Sequence, residues 1–119
     1  MIYLITPNPA LDISGTVDQL IADEKNYVTD EIRSAGGNGI NAARIAHRLG
    51  AKVIASGFLG GPTGDEIKNL LDKENIKHHF VKTVGNTRIN LTISNHNTHS
   101  QTRLSFPGAN IKFNELTTL

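Results

Sequence analysis

Gly36-Gly37-Asn38-Gly39 runs straight into an amphipathic helical pattern, and that junction constrains the fold more than any other stretch of the chain. Ile40, Ala43, Ile45, Ala46 and Leu49 fall mainly on one helical face, and Gly50 stands where a left-handed C-cap is expected. A helix N-terminus carries unpaired N–H groups and partial positive charge. Glycine lets those amides approach a bound group with no Cβ in the way. The segment from Ala35 to Arg44 therefore reads as a holder for a polar ligand.

The flanking segments predict an α/β unit. Ile2 to Thr6 is a short apolar run ended by Pro7 and Pro9, which predicts a buried strand stopped by residues that cannot donate to a ladder. Asn26 to Arg33 mixes Tyr27, Val28 and Ile32 with polar residues, the pattern of a half-exposed antiparallel strand outside the main sheet. Val53 to Phe58 predicts a second buried strand. A Gly60-Gly61-Pro62 turn follows, then a helix from about Thr63, with Thr63 as its cap, Glu66 at capping-box spacing, and Ile67, Leu70 and Leu71 on its apolar face. His79 to Val84 predicts a third strand. Arg88 to Ser94 and Gln101 to Phe106 alternate across a polar link and predict a two-stranded ribbon. The order is core strand, excursion, helix, strand, helix, strand, hairpin. Asn114 to Leu119 begins a helical pattern of about one turn with Asn114 as cap. Three parallel strands would leave an unpaired edge, so the expectation is a truncated chain.

Composition narrows the partner. With 12 Lys and Arg against 11 Asp and Glu, the chain has no strong field for nucleic acid or an acidic membrane, which leaves a small molecule. The absence of cysteine removes disulfides and thiolate chemistry, and no apolar run reaches spanning length, so a cytoplasmic protein is expected. His78, His79, His96 and His99 show no metal-binding spacing and are expected to be solvated. Gly37-Asn38-Gly39-Ile40-Asn41-Ala42 satisfies the dinucleotide pattern, but the segment before it is polar where that fold needs a buried strand. A phosphate-binding P-loop fails because no Gly-Lys-Ser/Thr follows the glycines.

The run Gly36-Gly37-Asn38-Gly39-Ile40-Asn41, with Ala43, Gly50 and Gly60, resembles the first signature of the phosphofructokinase B, or ribokinase-like, family of sugar kinases over its whole length. Thr6-Pro7-Asn8-Pro9-Ala10-Leu11-Asp12 resembles the opening of that family's hexose-phosphate kinases, the phosphofructokinase and tagatose-6-phosphate kinase type. Asn38 stands where relatives commonly carry lysine or glycine. The resemblance implies the N-terminal part of a ribokinase-like α/β sandwich with a small antiparallel β lid. Its core would be residues 1–11 and 36–85 and its lid strands about 12–34 and 86–106, with the C-terminal nucleotide-binding half absent.

It also implies roles. Asp12 would accept hydrogen bonds from sugar hydroxyls, and Gly37 and Asn41 would close on the sugar. Lys25, Arg88 and Arg103 would hold a phosphate already on the substrate. The family's Gly-Ala-Gly-Asp motif, which supplies the catalytic aspartate, does not occur, so no catalytic residue and no site for ATP and Mg2+ is expected here. Implied is the sugar-phosphate-binding part of an ATP-dependent kinase acting on fructose 6-phosphate, fructose 1-phosphate or tagatose 6-phosphate, inactive alone and in the intact enzyme a homodimer through the lid. Two alternatives stay open. One is a kinase of an unphosphorylated sugar or nucleoside, and the other is a non-catalytic sugar-phosphate-binding remnant.

Overall fold

Ile2-Tyr3-Leu4-Ile5-Thr6 forms β1 (Ile2–Thr6), and the chain turns at Pro7–Pro9 into a second strand, β2 (Ala10–Val17). The computed structural model describes all residues from Met1 to Leu119. An exposed connection leads to β3 (Thr29–Gly36), and the glycine loop then opens α1 (Asn38–Arg48). The helix ends as the sequence predicts. Gly50, at φ +89°, lets its own N–H reach the carbonyl of His47 at 3.0 Å and that of Ala51 reach Ala46 at 3.0 Å.

After α1 come β4 (Val53–Leu59), α2 (Gly61–Lys73), β5 (Lys77–Lys82), β6 (Arg88–Asn95), β7 (Ser100–Ser105) and a short α3 (Phe113–Leu116). They build two sheets. One is parallel, in the order β1-β4-β5, with Ile2 opposite Val53 and Ile54 opposite Lys77. The other is mixed, in the order β3-β2-β6-β7. β2 runs antiparallel to β3 and parallel to β6, with Asp12 opposite both Ser34 and Asn90. No helix is long and apolar enough to cross a membrane.

Alternation in β4 sends Val53, Ala55 and Leu59 to one face, where they meet Ile40 and Ala43 of α1 and Ile67 and Leu71 of α2. Leu11, Ala35 and Ile76 complete this core, so the second sheet shares it through the start of β2 and the end of β3. Each fully buried Leu or Ile contributes about 1.5–3 kcal/mol. Arg33 of β3 adds an exposed clamp onto α2, with its Nη2 2.9 Å from Glu66.

Several expectations are corrected. β1 is not a buried strand: Tyr3 and Ile5 are 59% and 50% exposed, because their register with Ile54 and Ser56 turns them to the face neither helix covers. The predicted ribbon of two strands is half of a four-stranded sheet. β5 begins two residues before the predicted His79 and ends at Lys82. α2 starts at Gly61 with Gly60 as its cap, and Thr63 lies inside the helix. The Thr63 N–H is satisfied from outside, by Asn86 Oδ1 at 3.0 Å, and Asn86 Nδ2 returns a bond to Thr63 Oγ1 at 2.8 Å. α3 is capped at Lys112, and Asn114 lies within it. His78 is not simply solvated, since its Nε2 lies 2.7 Å from Asp72 Oδ1 and its ring rests against Phe80.

Candidate functional site

Alternation places the polar residues of three strands on one surface. In β2, Leu11 faces the core while Asp12 and Ser14 face away from it. The register carries Asn90 beside Asp12, Thr92 beside Ser14, Arg103 beside Thr92 and Ser105 beside Asn90. Together with Arg88, these residues floor a cavity of about 580 Å3. Its wall is the N-terminus of α1, contributing Gly37, Asn38 and Asn41.

The glycine loop fits this wall for specific reasons. Gly37, the N-cap of α1, sits at φ +121°, a conformation that other residues rarely adopt. No side chain caps the helix, so its first-turn amides remain free to meet a ligand. Gly36 gives way to the Asp12 carboxylate, whose oxygens occupy the volume a Cβ would need. The cavity also lies at the carboxyl end of β1, the end at which open α/β sheets bind ligands. A smaller concavity of about 300 Å3 at the opposite end, bordered by Met1, His47 and Lys52, has no comparable convergence of polar side chains.

The electrostatics of the floor are uneven. Asp12 is the cavity's single carboxylate, and Asn90 Nδ2 approaches it at 3.4 Å. Arg88 reaches Asn90 Oδ1 at 3.4 Å and the carbonyl of Asn8 at 3.2 Å, but its Nε is buried without a partner. Neither Arg88 nor Arg103 takes part in any of the chain's ion pairs. Two planar guanidinium groups with no carboxylate partner around one cavity are suited to a multidentate oxyanion such as a phosphate.

Behind the wall lies a third arginine, this one with its partners satisfied. Arg44 reaches Glu74 through Nε and Nη2, the latter at 3.0 Å, and also meets the Ala35 carbonyl at 2.8 Å and Asn41 Oδ1 at 3.0 Å. The hydrogen bonds to Glu74 hold the guanidinium above its ordinary pKa against the opposing effect of burial. The same bonds hold the Glu74 carboxyl below its own.

Of the residues singled out in the sequence, Asp12, Gly37, Asn41, Arg88 and Arg103 line this one cavity. Lys25 does not: it is exposed on the β2–β3 connection. Ser14, Asn90, Thr92, Gln101 and Ser105 also line the cavity without having been singled out. The signal for Asn90 and Thr92 was present in the alternation of Ile89, Leu91 and Ile93, which fixes the opposite face of that strand.

Residues 8–117 match the pfkB family carbohydrate kinase. The chain belongs to that family. It is 43% identical over 88 residues to a tagatose-6-phosphate kinase of Staphylococcus epidermidis, which covers 74% of this chain and 28% of the relative. Its fold superposes on phosphofructokinase-2 from Escherichia coli in complex with fructose-6-phosphate with a TM-score of 0.93, at 32% identity over 98% of this chain and 39% of that one. The tetrameric inhibited form of the same enzyme gives a TM-score of 0.90, again at 32% identity, over 98% of this chain and 38% of that one. The chain thus spans well under half the length of these relatives, and over that span it has the ribokinase-like α/β architecture, with parallel and mixed sheets.

Proposed function

We propose that this chain forms the acceptor side of an ATP-dependent kinase of a phosphorylated ketohexose, with fructose 6-phosphate and tagatose 6-phosphate the substrates its relatives favour. The observation that carries the reading is the pair Arg88 and Arg103, both facing the cavity and neither holding a carboxylate, with the Arg88 Nε buried and unpartnered. In this reading the arginines take the substrate's existing phosphate, Asp12 accepts from sugar hydroxyls, and Gly37 and Asn41 meet the ring from the α1 N-terminus.

MgATP would supply the transferred phosphoryl group and the charge to stabilise it. The residues present do not fit that group. No three His, Asp or Glu side chains gather to hold a metal, and the cavity offers one carboxylate. In this reading the chain contributes the binding of the acceptor.

A second copy is part of the reading. Leu20, Ile21, Tyr27 and Val28 are exposed on the β2–β3 connection and Ile32 is exposed on β3, a patch that favours cover by another protein surface. Lys25 lies on the same connection, so an anion-binding role for it requires a copy that carries it into a neighbouring cavity.

Isothermal titration of the 119-residue chain tests the proposal. Fructose 6-phosphate should bind and ribose should not, and ATP added with the sugar phosphate should give no ADP. Arg103→Ala should weaken binding by about 1.5–3 kcal/mol, the range for a hydrogen bond to a charged group. Equal affinity for the phosphorylated and unphosphorylated sugars would remove the anion site.

A further inference from the structure

We propose that Arg44 is a positioning residue that turns the Asn41 carboxamide so that its NH2 group faces the cavity as a donor. The inference deepens the sugar-phosphate reading and rests on it. Arg44 and Asn41 stand three residues apart on α1, on neighbouring positions of one helical face. A guanidinium has five donors and no acceptor, so whatever Asn41 offers it must be oxygen. The Arg44 Nη1 takes Asn41 Oδ1 at 3.0 Å. A planar carboxamide that gives its oxygen to one side carries Nδ2 on the other, and Nδ2 has no acceptor within the protein.

The guanidinium itself cannot swing. Glu74, thirty positions along the chain, grips it through Nε and Nη2, and the Ala35 carbonyl takes a further bond at 2.8 Å. Ala35 is the residue from which the glycine loop departs, so one side chain fixes both the loop's first carbonyl and the amide of Asn41. The Arg44 side chain is 16% exposed and its bonds to Glu74 and the Ala35 carbonyl are part-buried, while the bond to Asn41 lies at the exposed mouth of the cavity. The result is a matched pair across the cavity: Asp12 as obligate acceptor, Asn41 as obligate donor. A sugar hydroxyl that donates to Asp12 retains lone pairs for Asn41.

The test separates stability from recognition. Asn41→Asp supplies oxygen on both sides: it keeps, and charges, the bond to Arg44 while removing the donor. It should therefore unfold at or above the wild-type temperature and yet bind fructose 6-phosphate about tenfold more weakly. Arg44→Met should lose affinity to a similar degree. In 15N-labelled wild-type chain the Asn41 side-chain NH2 resonances should shift on adding fructose 6-phosphate, and in Arg44→Met they should not. Wild-type affinity in Asn41→Asp would overturn the assignment, and that variant decides alone should Arg44→Met fail to fold. If the wild-type chain ignores fructose 6-phosphate, the sugar-phosphate reading fails first and takes this inference with it.

Discussion

Asp12 and Gly36 show how closely residue identity is set at this site. The Asp12 carboxylate rests where a side chain at position 36 would be, so Gly36→Ala must move either the loop or the acid. We expect Gly36→Ala to cost about 1–3 kcal/mol of stability, as overpacking does, and to weaken fructose 6-phosphate binding at least tenfold. Thermal unfolding and calorimetry on the same sample check both; intact affinity would mean that Asp12 does not touch the ligand. Residues whose chemistry is declared by type and motif, such as Asp12, Asn41, Arg88 and Arg103, were legible in the sequence. Neutral polar residues were not. Asn90, Thr92 and Gln101 look like any solvent face of a strand until the register puts that face over a cavity. Arg44 was hidden for another reason, since its partner Glu74 is remote in sequence and only packing brings the two together.

At the scale of elements, the helices and β4 were readable because their apolar periods are strong and their ends carry glycine or proline. β2 was not predicted from its own residues, and only the family resemblance put lid strands at about 12–34. Ala10–Val17 includes Asp12, Ser14 and Gly15, a poor strand composition, and it is held by ladders to neighbours on both sides. The start of α2 was misplaced because the local sequence offers Thr63 as a cap, whereas Gly60 caps the helix and the Thr63 N–H is met by Asn86 from across the fold. α3 makes the point most sharply. Four residues cannot hold a helix alone, and Glu115 anchors it, accepting from the Lys112 N–H at 2.8 Å, Thr83 Oγ1 at 2.9 Å and the Val84 N–H at 3.1 Å. These bonds, that from Lys112 foremost, hold its carboxyl below the ordinary range. A lowered folded-state pKa stabilises above the unfolded value, about 4.3, and the benefit disappears as pH falls through the folded value. Amide exchange at Val84, taken relative to its intrinsic rate at each pH, should therefore quicken below about pH 4. In Glu115→Gln it should be fast already at neutral pH, and an unchanged profile in that variant would mean α3 is held by something else.

For the whole molecule, the apolar patch at the far end of the lid is the feature most in need of a partner. We expect sedimentation to show concentration-dependent dimers, and Ile32→Lys combined with Leu20→Glu to yield monomers with the cavity's affinity reduced but the fold kept; a monomeric wild type at high concentration would leave the patch unexplained. There is also a consequence for how the chain acquires its shape. Asp12 and Asn90, neighbours on the cavity floor, are 78 positions apart, and between them lie β3, both long helices and two of the three strands of the parallel sheet. Closing so long a loop carries an entropic cost that the contacts it encloses must first reduce. On that ground we expect the helices and the β4–β5 pairing to form early, and the β2–β6 pairing, with the ligand pocket it completes, to come late.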